Sequence, residues 1–566
     1  MPLKARIQAF KVKKVYIPRN NRCCRSHLLG DRFYQVDLDR LTAYSNTSSI
    51  GASELTQFLE ALSEQTDKTL FDTVRDMSMS EAQLKAFTGL SWENMTELRN
   101  MVHSMRDVEG RSIIQALFVF LVRLRSGSSN DLIANIFGLE HAQQVSNFCN
   151  SVIQAFEKDI LPLRFGPKVH SREELIRDHT SPIADRLHNI GDRLALIFDG
   201  TYLRHQKSSN NEYQRRSYSG QKKTSLCKPF TICLTEGFVL DLPGPFQGTL
   251  NDAEILKRVL ADPEGISCLL RPGDIFIVDR GFRDVQALLE ARGFSVLMPA
   301  LKGKRTQLPT NEANESRMVT KCRWVVEAIH GILSKKYRFL HNQFDNKMLP
   351  NAGSYCRIAC LLQNLFGKRL NSDVGMADDV LARMLERKDQ VNKLAERVLA
   401  DTLSRRTVPF QPLTSSALLD FPELSERELI LLFTGTYQYS QAVSYLAEIL
   451  SPDGTSLKVE FLKENPSPMA LVRFRVQSRH INRRQYKCYI EYHPNCNELS
   501  GIDGYYCECG NGTRTVGCCA HIAAVIAYLS YLRYQSHICR PAVKLTDLFK
   551  YEHVDAVIAT TSDDDD

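Results

Sequence analysis

Two aspartates stand directly after apolar segments that are typical of buried strands. Asp199 follows residues 194–198 and Asp279 follows residues 274–278, and a glycine comes within two positions of each. An apolar strand that ends in a carboxylate is a common way for an α/β sheet to present a ligand at its functional edge. Because aspartate and glycine are also common turn residues, one such pattern is weak. Two of them predict an acidic site at one edge of a sheet.

A third carboxylate, Glu327, lies on a helix that we predict over residues 320–336. It comes four residues after Arg323, on the same helix face, and within the apolar stretch 324–329. An unpaired carboxylate in such a stretch is costly. Two interpretations stay open: Glu327 forms a buried ion pair with Arg323, or helix packing brings it beside the two aspartates as a third metal ligand.

Three convergent carboxylates are suited to divalent metal ions. Mg²⁺ takes oxygen ligands and keeps several waters, so a few carboxylates and a substrate phosphate complete its coordination. Two such ions about 4 Å apart activate an attacking hydroxyl and stabilise the leaving oxygen of a phosphodiester. With Glu327 as a ligand, Asp199, Asp279 and Glu327 are therefore expected to hold two Mg²⁺ or Mn²⁺ ions.

Basic residues follow Asp199 closely, and tyrosines are interleaved with them. A run of charge is usually solvated surface, but this one adjoins the expected metal site and suits a polyanion. The residues expected to contact nucleic acid are Arg204, Lys207, Arg215, Arg216, Lys222 and Lys223.

Seven of the sixteen cysteines lie in the last part of the chain, where Cys507-x-Cys509 is followed after nine residues by Cys519-x-His521. Three sulfurs and one nitrogen make a closed tetrahedral set, the pattern of a structural Zn²⁺ site. The first residues predict no secretory signal, so metal binding is favoured over disulfides. Cys518 is an alternative to Cys519, and reduced, buried thiols are the alternative to zinc.

The elements that must position these residues differ along the chain. Residues 190–345 alternate strand-like and helix-like segments, with a hairpin over 229–242, and predict an α/β layer. Residues 53–160 have helical apolar spacing. Within them a short helix (130–137), a glycine turn and a second helix (140–157) fit a DNA-reading helix-turn-helix, although any helical bundle contains such pairs.

Shifts in composition divide the chain further. The predicted parts are a basic N-terminal arm (1–52), a helical domain (53–160), an α/β core (190–345), a helical extension and linker (346–410), a C-terminal α+β domain (411–550) with the zinc site within about 488–532, and an acidic tail (551–566). In the arm, Cys23, Cys24 and His27 do not complete a tetrahedral site, and whether they bind metal stays open.

Composition excludes several classes of protein. With 43% hydrophobic and 24% charged residues, the bulk of the chain is neither disordered nor coiled coil. The longest apolar run, 113–122, is too short to cross a bilayer, so no membrane association is expected. The net charge is +7, with a basic start that suggests a polyanion partner or a nuclear address; a solvated terminus is the alternative.

Six segments resemble, in order, the motifs of DDE superfamily transposase nucleases of the PIF/Harbinger type: 199–201, 218–223, 248–252, 278–282, 314–327 and 336–339. The resemblance implies an RNase H-like catalytic core in which Asp199, Asp279 and Glu327 hold the metal ions. Asp252 matches another acidic position and Arg323 lies in a matching segment, so both are candidate accessory residues. The resemblance also favours the helix-turn-helix as a DNA reader. The cysteine pattern and the apolar helix after it resemble a SWIM zinc finger, a module associated with nucleic-acid or protein binding.

The expected fold is therefore an α/β RNase H-like core, preceded by a helical domain and followed by a small α+β zinc-binding domain. The resemblance implies a nuclear transposase that cleaves double-stranded DNA at element ends and joins the 3′-hydroxyl to target DNA. It also implies a homo-oligomer, and whether a helper protein takes part stays open. The alternatives are a domesticated derivative that binds DNA or protein without cutting, and an RNA-processing nuclease of the same fold.

Overall fold

The computed structural model describes residues 1–42, 50–64, 69–108, 110–373, 375–405, 408–450, 457–462, 468–479, 481 and 483–535. The expected acidic tail (551–566), together with His537 and Cys539, lies outside these residues. The chain forms two compact units. The first comprises Met1–Asn100, Met105–Arg123 and Ser128–Val152, and the second comprises Met101–Ser104, Leu124–Gly127 and Ile153–Asp566. Among the described residues, no helix is long and apolar enough to span a membrane.

The first unit is built mainly from helices. They are α1 (Leu3–Lys13), α2 (Gln35–Asp39), α3 (Ala52–Glu64), α4 (Leu70–Arg75), α5 (Glu81–Thr88), α6 (Trp92–Met101), α7 (Ile113–Ser126), α8 (Asn130–Phe137) and α9 (Ala142–Ala155), of which the last residues of α6, α7 and α9 belong to the second unit. Two short strands, β1 (Leu28–Leu29) and β2 (Arg32–Phe33), pair antiparallel.

The N-terminal residues 1–52, which the sequence predicts as an arm, contain folded elements. Helix α1 buries Ala5 and Ala9 in a small apolar cluster with residues from the β1–β2 region. The basic residue Arg6 is buried and donates to Glu54 at 2.8 Å. Part of the basic charge is thus neutralised within the unit, because burying a guanidinium requires a partner.

Helices α8 and α9 form the expected helix–turn–helix pair. Ser129 caps α8, and Gly138 ends it in the left-handed conformation with φ 67°. Glycine adopts this conformation without steric cost, which is why the helix stops there. The second helix begins at Ala142, two residues later than the sequence predicts.

The second unit contains the remaining elements of the described chain. Its helices are α10 (Leu161–Arg164), α11 (Arg172–His179), α12 (Pro182–His188), α13 (Asn211–Ser217), α14 (Asp252–Ala261), α15 (Arg283–Ala291), α16 (Thr310–Lys336), α17 (Arg338–His341), α18 (Ala352–Phe366), α19 (Ala377–Arg387), α20 (Lys393–Ala400), α21 (Glu426–Phe433), α22 (Thr436–Ser444), α23 (Leu446–Ile449) and α24 (Ala520–Ser530). Its strands are β3 (Ala195–Gly200), β4 (Leu203–Arg204), β5 (Tyr218–Ser219), β6 (Thr224–Lys228), β7 (Phe230–Leu234), β8 (Val239–Asp241), β9 (Phe246–Gln247), β10 (Ile275–Ile277), β11 (Ser295–Leu297), β12 (Phe410–Thr414), β13 (Lys458–Leu462), β14 (Ala470–Gln477), β15 (Gln485–Tyr492) and β16 (Ile502–Cys507).

A mixed five-stranded sheet lies at the centre of this unit, in the order β11-β10-β3-β7-β8. Strands β11, β10 and β3 are parallel to one another. Strand β7 is antiparallel to β3 and to β8, with which it forms the predicted hairpin. Both faces of the sheet are buried and mostly apolar, as expected for strands covered by helices. The mixed α/β architecture and strand order are consistent with the RNase H-like core expected from the sequence.

Helix α16 packs against β3 and β10 and is longer than the sequence predicts. It begins at Thr310 rather than near residue 320, and its first turns bury the polar residues Asn314, Ser316, Arg317 and Lys321. A helix face made of polar residues gives no apolar periodicity. The periodicity of apolar residues therefore does not predict the first turns of α16.

An antiparallel sheet with the strand order β12-β13-β14-β15-β16 forms the C-terminal part of the unit. Helices α21 to α24 contribute to a large apolar cluster with this sheet. Helix α20 packs Leu394 and Val398 into a second cluster with Leu471 and Tyr489. The last strand, β16, ends at Cys507, where the candidate zinc ligands begin.

Candidate active site and metal centres

Asp199 and Asp279 lie at the same level on neighbouring strands. The parallel pairing of β10 with β3 aligns Ile277 with Ile197, and each aspartate comes two residues further along. Neighbouring strands are about 4.8 Å apart, so the register brings the two aspartates to one edge of the sheet. The sequence prediction of an acidic edge formed by these two residues agrees with this arrangement.

Asp252 lies at the same edge, at the first turn of α14. A methyl group added at Gly200 would meet its Oδ1 at 2.7 Å, and one added at Gly281 would meet its Oδ2 at 3.7 Å. The Oδ1 atom is buried and has no hydrogen-bond partner among the described residues. The Lys228 ammonium is 3.8 Å from it and donates instead to the Leu250 carbonyl at 2.6 Å. A buried carboxylate oxygen in this state is a candidate ligand for a cation.

Helix α16 presents Arg323, Glu327 and His330 towards the same edge. Arg323 Nη1 lies 3.8 Å from Asp199 Oδ2, and His330 Nδ1 lies 3.9 Å from the same oxygen. Glu327 forms an ion pair with Arg323, and its side chain is 57% exposed. Both interpretations of Glu327 keep support: the ion pair is present, and the residue lies between two neighbours of Asp199 on its helix.

His330 is a neighbour of the site that the sequence predictions omit. It follows Arg323 by seven residues, two helical turns, which is the signal that would have placed it on the same face. Its Nε2 is 2.8 Å from Thr231 Oγ1, and Thr231 is the residue of β7 that pairs with Asp199. Burial, with a smaller contribution from Arg323, lowers the pKa of His330 to about 4, so this imidazole is neutral at pH 7.

The acidic edge carries unfavourable electrostatic interactions in the absence of cations. Burial raises the pKa of Asp199 to about 7; Arg323 opposes this change, and Asp279, Asp252 and Glu327 add to it. Burial also raises the pKa of Asp252, against the effect of Lys228. Mutual repulsion of buried carboxylates is the condition that a divalent cation relieves.

These observations fit divalent ions with oxygen ligands, such as Mg²⁺ or Mn²⁺. The fit rests on the orphaned Asp252 oxygen, on the raised pKa values and on the shared level of Asp199 and Asp279. The four carboxylates do not form a closed group, since within the described parts of the chain only the cysteine group has all its ligand atoms within 4.8 Å of one another. The three aspartates do not meet this criterion among themselves either, and Glu327 extends to Arg323 and to solvent.

The predicted nucleic-acid contacts lie on exposed segments next to this edge. They belong to β4, the connection after it, α13 and the β5–β6 hairpin, and all six are exposed: Arg204, Lys207, Arg215, Arg216, Lys222 and Lys223. Lys222 and the buried Lys228 both lie over the ring of Tyr202, at 5.1 and 5.5 Å from its centroid. Arg216 pairs with Glu212 of the same helix. The segment offers exposed positive charge beside the carboxylates.

The second candidate centre consists of Cys507, Cys509, Cys519 and His521, whose ligand atoms all lie within 4.8 Å of one another. Cys507 Sγ and His521 Nδ1 are 3.7 Å apart. Sulfurs bound tetrahedrally to zinc at about 2.3 Å are about 3.8 Å from one another. The donor set and its dimensions therefore fit one Zn²⁺ ion, as the sequence predicts.

Local structure fixes these four ligands. Cys507 ends β16, Cys519 is the N-cap of α24, and His521 lies in the first turn of that helix. The Cys509 amide donates to Cys507 Sγ at 3.4 Å, and the turn is closed by the Gly512 amide, which donates to the Cys509 carbonyl. A methyl group at Gly512 would lie 1.9 Å from the Cys507 carbonyl oxygen, so only glycine fits there.

The three thiols of the group differ in protonation. Burial raises the pKa of Cys507, and the hydrogen bond with Cys507 raises that of Cys509. Burial acts most strongly on Cys519 and raises its pKa, but hydrogen bonds from Cys507, Cys509 and His521 outweigh it and hold the pKa well below the usual range. Thiolate is the form that binds zinc. The other ring nitrogen of His521 lies 3.0 Å from the Tyr445 hydroxyl. Such a contact fixes the orientation of a metal-binding imidazole.

Two further cysteines lie beside the group without belonging to it. Cys488, on β15, is paired with Cys507 across the sheet, and its thiol lies 3.5 Å from Cys507 Sγ. Cys518 is buried, but the group contains Cys519 instead. The choice between Cys518 and Cys519, open in the sequence, is thus resolved by geometry in favour of Cys519.

The cysteine turn is joined to the start of α16. Gln307 donates through Nε2 to the carbonyls of Cys507 and Cys509, at 2.6 and 2.7 Å. Asn314 accepts through Oδ1 from the amides of Thr515 and Val516, at 2.8 and 3.0 Å. Both contacts are between polar groups that are far apart in sequence. The candidate zinc centre is therefore attached to the helix that carries Arg323 and Glu327.

Residues 198–364 match the family model described as DDE superfamily endonuclease. No curated protein and no solved structure matches the chain. The matched segment contains Asp199, Asp252, Asp279 and Glu327, and it extends past the predicted core boundary at 345 to include α18. A domain of this kind implies a DNA substrate and the use of divalent metal ions.

Proposed function

We propose that the chain is a DDE-type transposase of the PIF/Harbinger kind. It cleaves DNA phosphodiesters at the ends of an element and joins the freed 3′-hydroxyl to target DNA. The observation that carries the proposal is the shared register of Asp199 and Asp279, with Asp252 and the Arg323–Glu327–His330 face of α16 at the same sheet edge, inside the segment that matches a DDE endonuclease.

Five residues at this edge have distinct roles in the proposal. Asp199 and Asp279 bind the divalent ions from the strand ends, and Glu327 completes the set from α16. When bound, two ions supply activation of the attacking hydroxyl and stabilisation of the leaving oxygen. Arg323 holds Glu327 near the site and offsets the charge of Asp199. His330 stays neutral and orients β7 through Thr231.

The flanking parts serve this reaction. In the proposal the helix pair α8–α9 reads element ends, and the exposed basic residues around α13 hold the backbone of double-stranded DNA. Cys507, Cys509, Cys519 and His521 bind one structural Zn²⁺ in a SWIM-type finger. The protein acts in the nucleus and as a homo-oligomer on paired DNA ends.

The decisive experiment uses the variant Asp279→Ala. Purified protein is incubated with Mn²⁺ and labelled DNA that carries the sequences flanking its own gene, and cleavage and binding are measured on the same DNA. We expect the substitution to abolish cleavage and to leave the dissociation constant within about threefold, because the carboxylate binds metal rather than DNA. Equal loss of binding and cleavage would refute the assignment.

Asp284→Ala is the matched control. Asp284 is a carboxylate five residues further on, exposed in the first turn of α15, and among the described residues it pairs with its neighbour Arg283. Its removal should leave both binding and cleavage unchanged. Loss of cleavage in this variant would show that the assay responds to general disturbance of α15.

The second candidate is a domesticated protein that binds DNA and does not cut. The ion pair of Glu327 with Arg323 and the 57% exposure of its side chain favour this alternative, since Glu327 must turn towards Asp199 to complete a metal site. Salt-dependent binding without cleavage in Mg²⁺ or Mn²⁺ would support it.

A further inference from the structure

A cavity of about 620 Å³ lies on the flank of α16, beside the acidic edge. It is bounded by the middle of α16, by residues 371–373 and by the first turn of α22. Arg323 and Glu327 form part of its wall, so it opens next to the proposed active site. Its volume falls within the range of ligand pockets, about 300–1,000 Å³.

The charges around this cavity do not balance. Lys321 pairs with Asp373, and Arg323 pairs with Glu327. Arg317, also in the wall, is 5% exposed and has no carboxylate within 4.0 Å in the described part of the chain. One of its terminal nitrogens donates to the Thr434 carbonyl and to Gln438, and its Nε is buried without a partner.

An uncompensated buried guanidinium is unstable unless an anion reaches it. Burial, and then the neighbouring Arg514, lowers the pKa of Arg317 to about 9, although Asp373 acts in the opposite direction. The planar guanidinium matches phosphate in geometry. The wall of the cavity is therefore prepared for a phosphate group.

Two aromatic side chains line the same cavity. Trp324 follows Arg323 on α16, and Tyr437 lies in the first turn of α22 with its side chain 66% exposed. Aromatic rings are platforms on which nucleobases stack without regard to sequence. A phosphate-binding cation together with two such rings is the chemistry of a nucleotide site.

We propose that this cavity holds one unpaired nucleotide of the DNA strand that enters the acidic edge, with its phosphate at Arg317 and its base against Trp324 and Tyr437. The inference rests on the proposed function, because it takes DNA as the substrate. A nucleotide reaches such a cavity only after it has left the duplex, which requires a few kcal/mol of unstacking and unpairing. DNA that already carries an unpaired end therefore binds more tightly than blunt duplex.

The first test compares the affinity for a duplex with an unpaired thymidine tail and for the same duplex with blunt ends, with Ca²⁺ replacing Mg²⁺. We expect the wild type to prefer the tailed duplex, and Tyr437→Ala to weaken tailed binding about tenfold while blunt binding stays unchanged, as the loss of one base–aromatic stack predicts. Tyr534→Ala removes another exposed tyrosine, outside the cavity, and should change neither affinity. A tail preference that survives Tyr437→Ala would overturn the proposal.

The second test uses the two tryptophans of the chain, Trp92 and Trp324. In a Trp92→Phe protein, the remaining fluorescence comes from Trp324, and we expect the tailed duplex to quench it and the blunt duplex to leave it unchanged. Bound DNA with no quenching would refute the cavity as the site but leave the proposed function intact. Failure to bind any DNA would overturn both. Equal quenching by thymidine monophosphate would show a site for free nucleotides and overturn the assignment to a DNA strand.

Discussion

Gly200 shows how closely the acidic residues are placed. The glycine lies at the end of β3 with ordinary extended pairing to Phe230, so its backbone accepts alanine. The added methyl group would meet the Asp252 carboxylate at 2.7 Å. Because a carboxylate tip can move, we expect Gly200→Ala to cost about 1 kcal/mol in stability. Displacement of Asp252 should lower the cleavage rate about a hundredfold, since errors of about 1 Å have such effects.

Cleavage rate and thermal unfolding of Gly200→Ala can be compared with those of Gly331→Ala. Gly331 lies on α16, and nothing is within 4 Å of a methyl group placed there. The control should cleave normally and be slightly more stable, because alanine favours a helix interior. Normal cleavage by Gly200→Ala would exclude a role for Asp252 in the site.

At this scale the sequence predicts some residues well and others poorly. Asp199 and Asp279 follow apolar strands, a local pattern that the structure places at one edge. His330 has only its helical spacing from Arg323 as a local sign, and its contact with Thr231, almost a hundred positions earlier, follows from no spacing rule. The position of Asp252 beside Gly200, with an Oδ1 atom that accepts no hydrogen bond among the described residues, depends on how α14 packs beside β3, and no spacing rule expresses this.

Among the elements, α16 connects the two candidate metal centres. Its first turns bury polar residues, and their partners are 50 to 200 positions away: Lys321 meets Asp373, and Asn314 meets Thr515 and Val516. The sequence therefore predicts the apolar second half of the helix and misses its polar start. The hairpin of β7 and β8 was predictable because both strands and their turn are contiguous.

Asn314→Ala tests this connection. The substitution leaves the amides of Thr515 and Val516 without an acceptor in a buried place. Each loss costs about 1–3 kcal/mol, so we expect the free energy of unfolding of the second unit to fall by about 2–4 kcal/mol. Urea unfolding followed by the fluorescence of Trp324, in a Trp92→Phe background, measures it. Asn135→Ala removes an exposed asparagine whose side chain donates to the Asp131 carbonyl within α8 and should cost less than about 0.5 kcal/mol.

Removal of zinc should destabilise the start of α16 as well as the cysteine-containing turn. Native mass spectrometry of the wild type is expected to show one zinc ion, and Cys507→Ser should lose it. Without the metal, the contacts of Gln307 with the cysteine turn lose their fixed geometry. Hydrogen exchange should then rise in residues 310–317 as well as in 507–521.

Cys268→Ser is the control for this experiment, because Cys268 is an exposed free cysteine outside the group. It should keep the zinc ion and the slow exchange of α16. A wild type without metal would exclude the zinc site. Faster exchange confined to 507–521 would show that the finger does not support the helix.

For the whole molecule, the distribution of charge matters more than the net +7. The basic arm predicted at the N-terminus is partly folded, with Arg6 neutralised by Glu54. The exposed cations around α13 lie beside the carboxylates. Binding of DNA through these cations releases counterions and depends steeply on salt.

We expect the double variant Lys222→Gln/Lys223→Gln to reduce the slope of log affinity against log salt by about 2, the effect of two phosphate contacts. Filter binding over a series of salt concentrations measures it. Lys388→Gln/Lys393→Gln makes the same change in net charge at exposed positions of α19–α20 and should leave the slope unaltered. Equal slopes for the two double variants would place the DNA elsewhere.

The segment that matches a DDE endonuclease ends at residue 364, but the buried surface of α16 does not end there. Arg317 and Lys321 are enclosed by Thr434, Gln438 and Asp373, and Asn314 by the cysteine turn, all of which come later in the chain. A protein shortened to 198–364 would leave these charges and amides without partners. We expect this shortened protein to be insoluble. A fragment made to study the nuclease would have to continue through α24.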